Sequence, residues 1–320
     1  MTLKDATLRC WGSGNWGKLG NGQNVTNRNS PTAVANIADS RGVEVGGNVS
    51  CSLADLAGTS ARCWGYNGYN QLFSGATWLG SARAISGPYA VELSVGHRHT
   101  CILITDGRVS CWGNNQGGQL GRGSVGGVAL ASDWVQNIAN AVMLDVGHSY
   151  SCAGIADGTV SCWGGPDALG GVPVAGVDDV EKISAGGDVG CAVRSDRRVL
   201  CWTGGTSGSP ATGANVVSGI DDAVDVSVGE GHSCALKANG TVACWGAGVR
   251  GQLGNGVSVD SAVPVVVAGL TDVVALAAGG VHSCAVRADG NAYCWGGGQF
   301  GQLGNGSDLD SSVPVAVYPF

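Results

Sequence analysis

The stretch "HSCALKANGTVACWG", His232 to Gly246, decides the fold. Ala235 and Leu236 lead into Lys237-Ala238-Asn239-Gly240, and Thr241 and Val242 lead out. Asn-Gly between two short apolar runs signals a β-hairpin, because Gly adopts positive φ at no steric cost. Folding the chain about residue 239 sets Cys234 opposite Cys244. Cross-strand neighbours have Cα atoms about 4.5–5.5 Å apart, which a disulfide can span. The alternative is a pair of buried free thiols, since Cys also packs as a small hydrophobe.

The stretch recurs as "HSCAVRADGNAYCWG", His282 to Gly296. Cys-Trp stands at Cys10, Cys63, Cys111, Cys162, Cys201, Cys244 and Cys294. Six of these have an upstream mate, which predicts the disulfides Cys51–Cys63, Cys101–Cys111, Cys152–Cys162, Cys191–Cys201, Cys234–Cys244 and Cys284–Cys294. Cys10 is left unpaired. "GQLGNG" follows Cys-Trp at Gly251–Gly256 and Gly301–Gly306, with "GKLGNG" at Gly17–Gly22 and "GQLGRG" at Gly118–Gly123. β-Branched runs ending in Gly, such as "AVDVSVG" (Ala223–Gly229), complete units of about four short strands. A period of about 40–50 residues built this way means a propeller or a related array, with almost no helix. The 57 glycines occupy fixed places between apolar strands, and no linker interrupts the chain. We read residues 1–320 as one domain of about seven repeats: 1–36 (a half repeat), 37–89, 90–139, 140–175, 176–217, 218–267 and 268–320.

With its copies, "HSCALKANGTVACWGAGVRGQLGNG" resembles the regulator-of-chromosome-condensation repeat over essentially the whole chain. The paired cysteines are similar to those of bacterial, Cys-containing members. The resemblance implies an all-β, seven-bladed β-propeller of four-stranded antiparallel blades, and seven Cys-Trp marks fit seven blades. The repeated Trp is expected to fill the space between blades, its N–H reaching a carbonyl. Ala6–Trp11 matches an outgoing strand of the other copies, whereas the strand pair that should precede it is missing, so one blade is expected to be incomplete. Three explanations stay open: a trimmed chain, a true half blade, or strands donated by another copy, which would give a homo-assembly.

Six facing Cys pairs fit an oxidising, extracellular or cell-surface location. Met1–Cys10 has no apolar core of a signal peptide, and no run of about 20 apolar residues offers a membrane span. The net charge of −7, with Lys plus Arg only 17, argues against nucleic acid as a partner. It also weakens the chromatin role implied by some family members. Nucleotide exchange on a small GTPase, another family activity, does not suit a disulfide-bearing extracellular protein.

His99, His232 and His282 share one repeat position, and His97 and His148 another. Repeat-locked histidines read as structural hydrogen-bonders, and three equivalent blades cannot easily converge on one ion. No nucleophile elbow, phosphate loop or zinc-protease motif is present. Asp308-Leu309-Asp310 reads as a solvated turn. We therefore expect no catalytic, cofactor-binding or metal site, and a protein without enzyme activity. Function should lie in the loops that do not repeat. There the first units carry Trp16, Tyr66, Tyr69, Phe73, Trp78 and Trp134, an aromatic set suited to binding a protein partner on one face. Local packing of longer loops is the alternative. The reading is thus a recognition propeller; the second is a structural subunit joined through the incomplete blade, and the third an exchange factor.

Overall fold

A computed structural model describes residues 1, 7–54, 61–72, 76–85, 90–165, 169–203 and 212–318. Six four-stranded antiparallel sheets follow one another along the chain, and a two-stranded sheet precedes them. In the fifth full blade Ala223–Val228 is innermost, followed outward by His232–Lys237, Val242–Gly246 and Ser261–Val266. The other five repeat this order. The one helical turn among the described residues is the three-residue 3-10 segment Asn15–Gly17.

The expectation of seven blades is corrected to six. Among the described residues Arg9–Gly12 and Arg28–Ala33 form a sheet of two strands, to which Met1 adds a pair of backbone hydrogen bonds with Arg9. They match the third and fourth strands of a blade. Cys-Trp marks the third strand alone, so counting it also counts a unit whose first two strands are not among the described residues. Each of the six cysteine pairs sits in register across the second and third strands, with Cα atoms 4.0–4.1 Å apart, as a disulfide. Cys10 is buried and free.

The core is divided into layers between blades. Leu120 and Val135 of the second full blade pack with Leu144, Ala153 and Trp163 of the third. Such layering follows from sheets that cannot cover both faces alone. Among the described residues five of the junctions are then locked by a polar bond. The indole nitrogens of Trp64, Trp112, Trp163 and Trp295 donate to Lys18 O, Gln71 O, Gln119 O and Gln252 O of the preceding unit, at 2.8–3.1 Å. Trp11 Nε1 donates to Gln302 O at 2.9 Å across 291 residues. That bond closes the ring: the half blade stands between the last full blade and the first.

Nearer the centre, the glycine ending each innermost strand lets the next blade approach. A Cβ on Gly96 would stand 2.5 Å from Gly147 O. Asp145 braces three blades, accepting from Ser94 Oγ (2.8 Å), Val146 N (2.8 Å) and Ala185 N (2.7 Å). Ser184 and Ser227 continue the series, taking Val228 N and Ala278 N of the following blade. No helix among the described residues is long and apolar enough to cross a membrane.

Candidate functional site

An antiparallel blade brings its 1–2 turns and 3–4 loops to one end and its 2–3 hairpins to the other. The 3–4 loops, which hold "GQLG", therefore share a face with the turns carrying His97 and His148. Within these loops the glutamine acts as a tether. Gln71, Gln119, Gln252 and Gln302 each accept, at 2.8 Å, the N–H of the residue two places earlier, through the side-chain oxygen. The tethered residues are Tyr69, Gly117, Arg250 and Phe300. The loop tip is thus held by a constant residue while its own side chain varies.

In the half blade Lys18 replaces that glutamine. Trp16 occupies the tip, untethered, with φ at +63°. A bulky residue rarely adopts the left-handed region, and such an outlier is a pointer to function. Trp16 is 48% exposed and Phe300 44%. Ring closure sets Arg250, Phe300, Trp16 and Tyr69 on four consecutive units. The first three tips are followed by Gly251, Gly301 and Gly17, which lie against the next unit at Ser311–Ser312, Arg28–Asn29 and Leu79–Gly80. Phe300 and Arg250 are absent from the sequence-based set because they lie far along the chain. Their signal was present as a shared offset of five residues after Trp.

The other aromatics divide. Trp16 and Tyr66 rings are 5.1 Å apart, and Tyr66 and Tyr69 rings 6.1 Å. Arg98 lies 5.2 Å over Tyr69. Trp78 pairs in register with Tyr66, and its ring covers Gly17 and Gly80, which makes it a packing residue. Trp134 does not join them. It ends an outer strand opposite Ser110, beside the hairpin at the other end of the blade, where Arg108 stacks 3.9 Å from its ring. Phe73 lies outside the described residues.

The histidines have distinct places. His99 Nε2 meets Ser151 Oγ of the next blade at 2.8 Å, and His232 Nε2 meets Ser283 Oγ at 2.7 Å. Ser283 donates on to Gln252 O, the oxygen that also receives Trp295. Burial lowers His99 to about 3, and His232 and His282 to about 4, so all three are neutral near pH 7. His97 and His148 stack at 4.3 Å beside the central opening. On innermost strands, Glu44 and Glu92 rise to about 8 and about 7, chiefly by desolvation; Asp145 adds repulsion to each. Asp145 is itself raised by burial and held back by its hydrogen-bond donors. Among the described residues no group of three or more His, Cys, Asp or Glu is arranged to hold a metal ion. Asp310 of the Asp308–Asp310 turn accepts Gly298 N and pairs with Arg250.

Sheets of one repeat closed into a ring, with variable side chains on constant loops, define a repeat-built β-propeller with a loop face suited to binding. Its repeats match the regulator of chromosome condensation (RCC1) repeat at residues 8–53, 239–286 and 289–320, and a second description of that repeat at 90–119, 223–252 and 273–302. The chain belongs to this family. It is 27% identical over 173 residues, 51% of its length, to the ultraviolet-B receptor UVR8 of Arabidopsis thaliana, and covers 39% of that protein. The chain spans well under half the length of the curated relatives it matches. Human WBSCR16 shares the fold with a TM-score of 0.86 at 22% identity, covering 98% of this chain and 95% of that one. Prp20p of Saccharomyces cerevisiae does so with a TM-score of 0.82 at 21% identity, covering 97% and 85%.

Proposed function

We propose that the chain is a non-catalytic recognition propeller that binds a protein partner through the arc Phe300, Trp16, Tyr66 and Tyr69. The observation that carries this reading is Trp16, exposed at a loop tip in a backbone conformation costly for its side chain, between Phe300 and Tyr69 at the same loop position. Large rigid aromatics dominate binding energy at protein interfaces. Support also comes from Prp20p, a propeller of the same fold that binds Gsp1p and histones. We place the protein outside the cell or on its surface, because six cross-strand cysteine pairs favour an oxidising compartment.

A photo-crosslinking residue in place of Trp16 tests this against the same residue in place of Trp134, in the native extracellular fluid. A discrete adduct at position 16 with none at 134 is expected. Identical adducts at both positions would discard the arc. A second reading, a subunit of an extracellular assembly joined through the half blade, rests on Cys10, free where every full blade holds a disulfide. It predicts a crosslinked oligomer that reductant dissolves and Cys10→Ser abolishes.

A further inference from the structure

Resting on the recognition reading above, we infer that the Trp16–Tyr69 sector binds an acidic segment of a protein partner, with a carboxylate seated between Lys18 and Arg98. These two cations are linked through the contact between Gly47 and His97. Lys18 Nζ reaches Gly47 O and Asn48 Oδ1, each at 3.4 Å. The His97 ring lies against Gly47, and the next residue, Arg98, extends over Tyr69. Lys18 and Arg98 both oppose a positive charge on His97, as its stacked neighbour His148 does.

Many of the protein's other cations are neutralised within the chain. At the hairpin end Arg62 pairs with Asp39, Arg108 with Asp106, Lys237 with Asp222 and Arg287 with Asp272. On the loop face Arg250 pairs with Asp310. Neither Lys18 nor Arg98 has a carboxylate within 4.0 Å among the described residues. The acidic group that does influence His97 is Glu230, on the fifth full blade. Two cations without a carboxylate partner here stand beside the exposed Trp16 and the half-buried Tyr69, in a chain of net charge −7.

That combination of cations and rings selects the partner's chemistry. Complementary charge fixes orientation and speeds encounter, while the aromatic rings supply contact area. A nucleic-acid backbone needs a track of many cations and would be repelled by the rest of this acidic molecule. A short acidic segment with apolar residues needs only the pair and the rings beside it.

The test is fluorescence anisotropy of the full chain with a labelled peptide pool of Asp, Glu, Phe, Leu and Gly. A pool with Lys and Arg in place of the acids and a single-stranded DNA oligomer serve as comparisons. The acidic pool should bind at least about tenfold tighter than either, and more weakly as salt rises. Lys18→Glu with Arg98→Glu should cost about tenfold or more, and Arg108→Ala at the other face less than about twofold. Thermal melts of the variants confirm folding. Equal or tighter binding of the basic pool or the DNA, or no effect of the charge reversals, would overturn the inference. If Trp16→Ala abolishes binding while the charge reversals do not, the acidic partner falls and the aromatic arc stands. If none of these variants matters, both fall.

Discussion

Cys10 and the buried histidines show how one position in a repeat changes meaning with its neighbours. Cys10 occupies the place of six bonded cysteines, yet it stands free and buried, and burial pushes its thiol pKa up. Thiol titration of unreduced protein should read one group per chain after denaturation and close to none before. Seven or more would reject the six pairs. The histidines set an acid limit. Their folded pKa values lie below the ordinary 6.5, so the unfolded chain takes up protons first as pH falls. Their contribution is complete above about 6.5 and is lost as pH drops toward 4, at about 1.4 kcal/mol per pH unit for each proton linked. Glu44 has the opposite sign. Its raised carboxyl favours folding at low pH and loses that advantage as pH rises from about 4.5 to 8. Glu44→Gln should therefore melt higher than the parent near pH 8.5 and equally near pH 4, by calorimetry.

At the scale of the element, the hairpin and the loop were both readable, for different reasons. Asn-Gly and the facing cysteines are local signals, and the register came out as the spacing required. The loop's constant parts were legible as "GQLG", but not what they hold in place. Gln119 O receives Trp163, and Ser151, which is hydrogen-bonded to His99, also points to that oxygen at 3.5 Å; such convergence needs two blades side by side. Ser151→Ala should cost about 1–2 kcal/mol in urea unfolding, by leaving the buried imidazole unpaired. Gly121 is stricter. Its φ is +64°, and a Cβ there would lie 2.6 Å from Val135 and 2.8 Å from Trp163. Gly121→Ala should cost about 2 kcal/mol or more in the same measurement.

For the whole molecule, closure is the decisive event. A ring has no long exposed edges, and its first and last units must meet. Trp11 and Gln302 make that junction. Trp11→Phe removes its hydrogen bond and should lower stability by about 1 kcal/mol. Hydrogen exchange should quicken in Arg9–Gly12 and Ser311–Ala316 before it does in the middle blades. Exchange that rises uniformly would mean the junction is not where the ring opens. Closure also assembles the candidate site. Trp16 and Phe300 stand at opposite ends of the chain and on neighbouring units of the ring. Trp134, grouped with Trp16 as an aromatic of the first units, lies at the other end of its blade because it ends the outer strand instead of preceding it.

The sequence by itself determined the repeat, its strands, the cysteine pairing partners and the family, since each depends on spacing within one unit. Only the tertiary structure decided that six blades are complete, which aromatic side chains share a face, and which cations lack a carboxylate. Those facts depend on contacts between units, and a linear pattern carries no record of which end of a strand meets its neighbour.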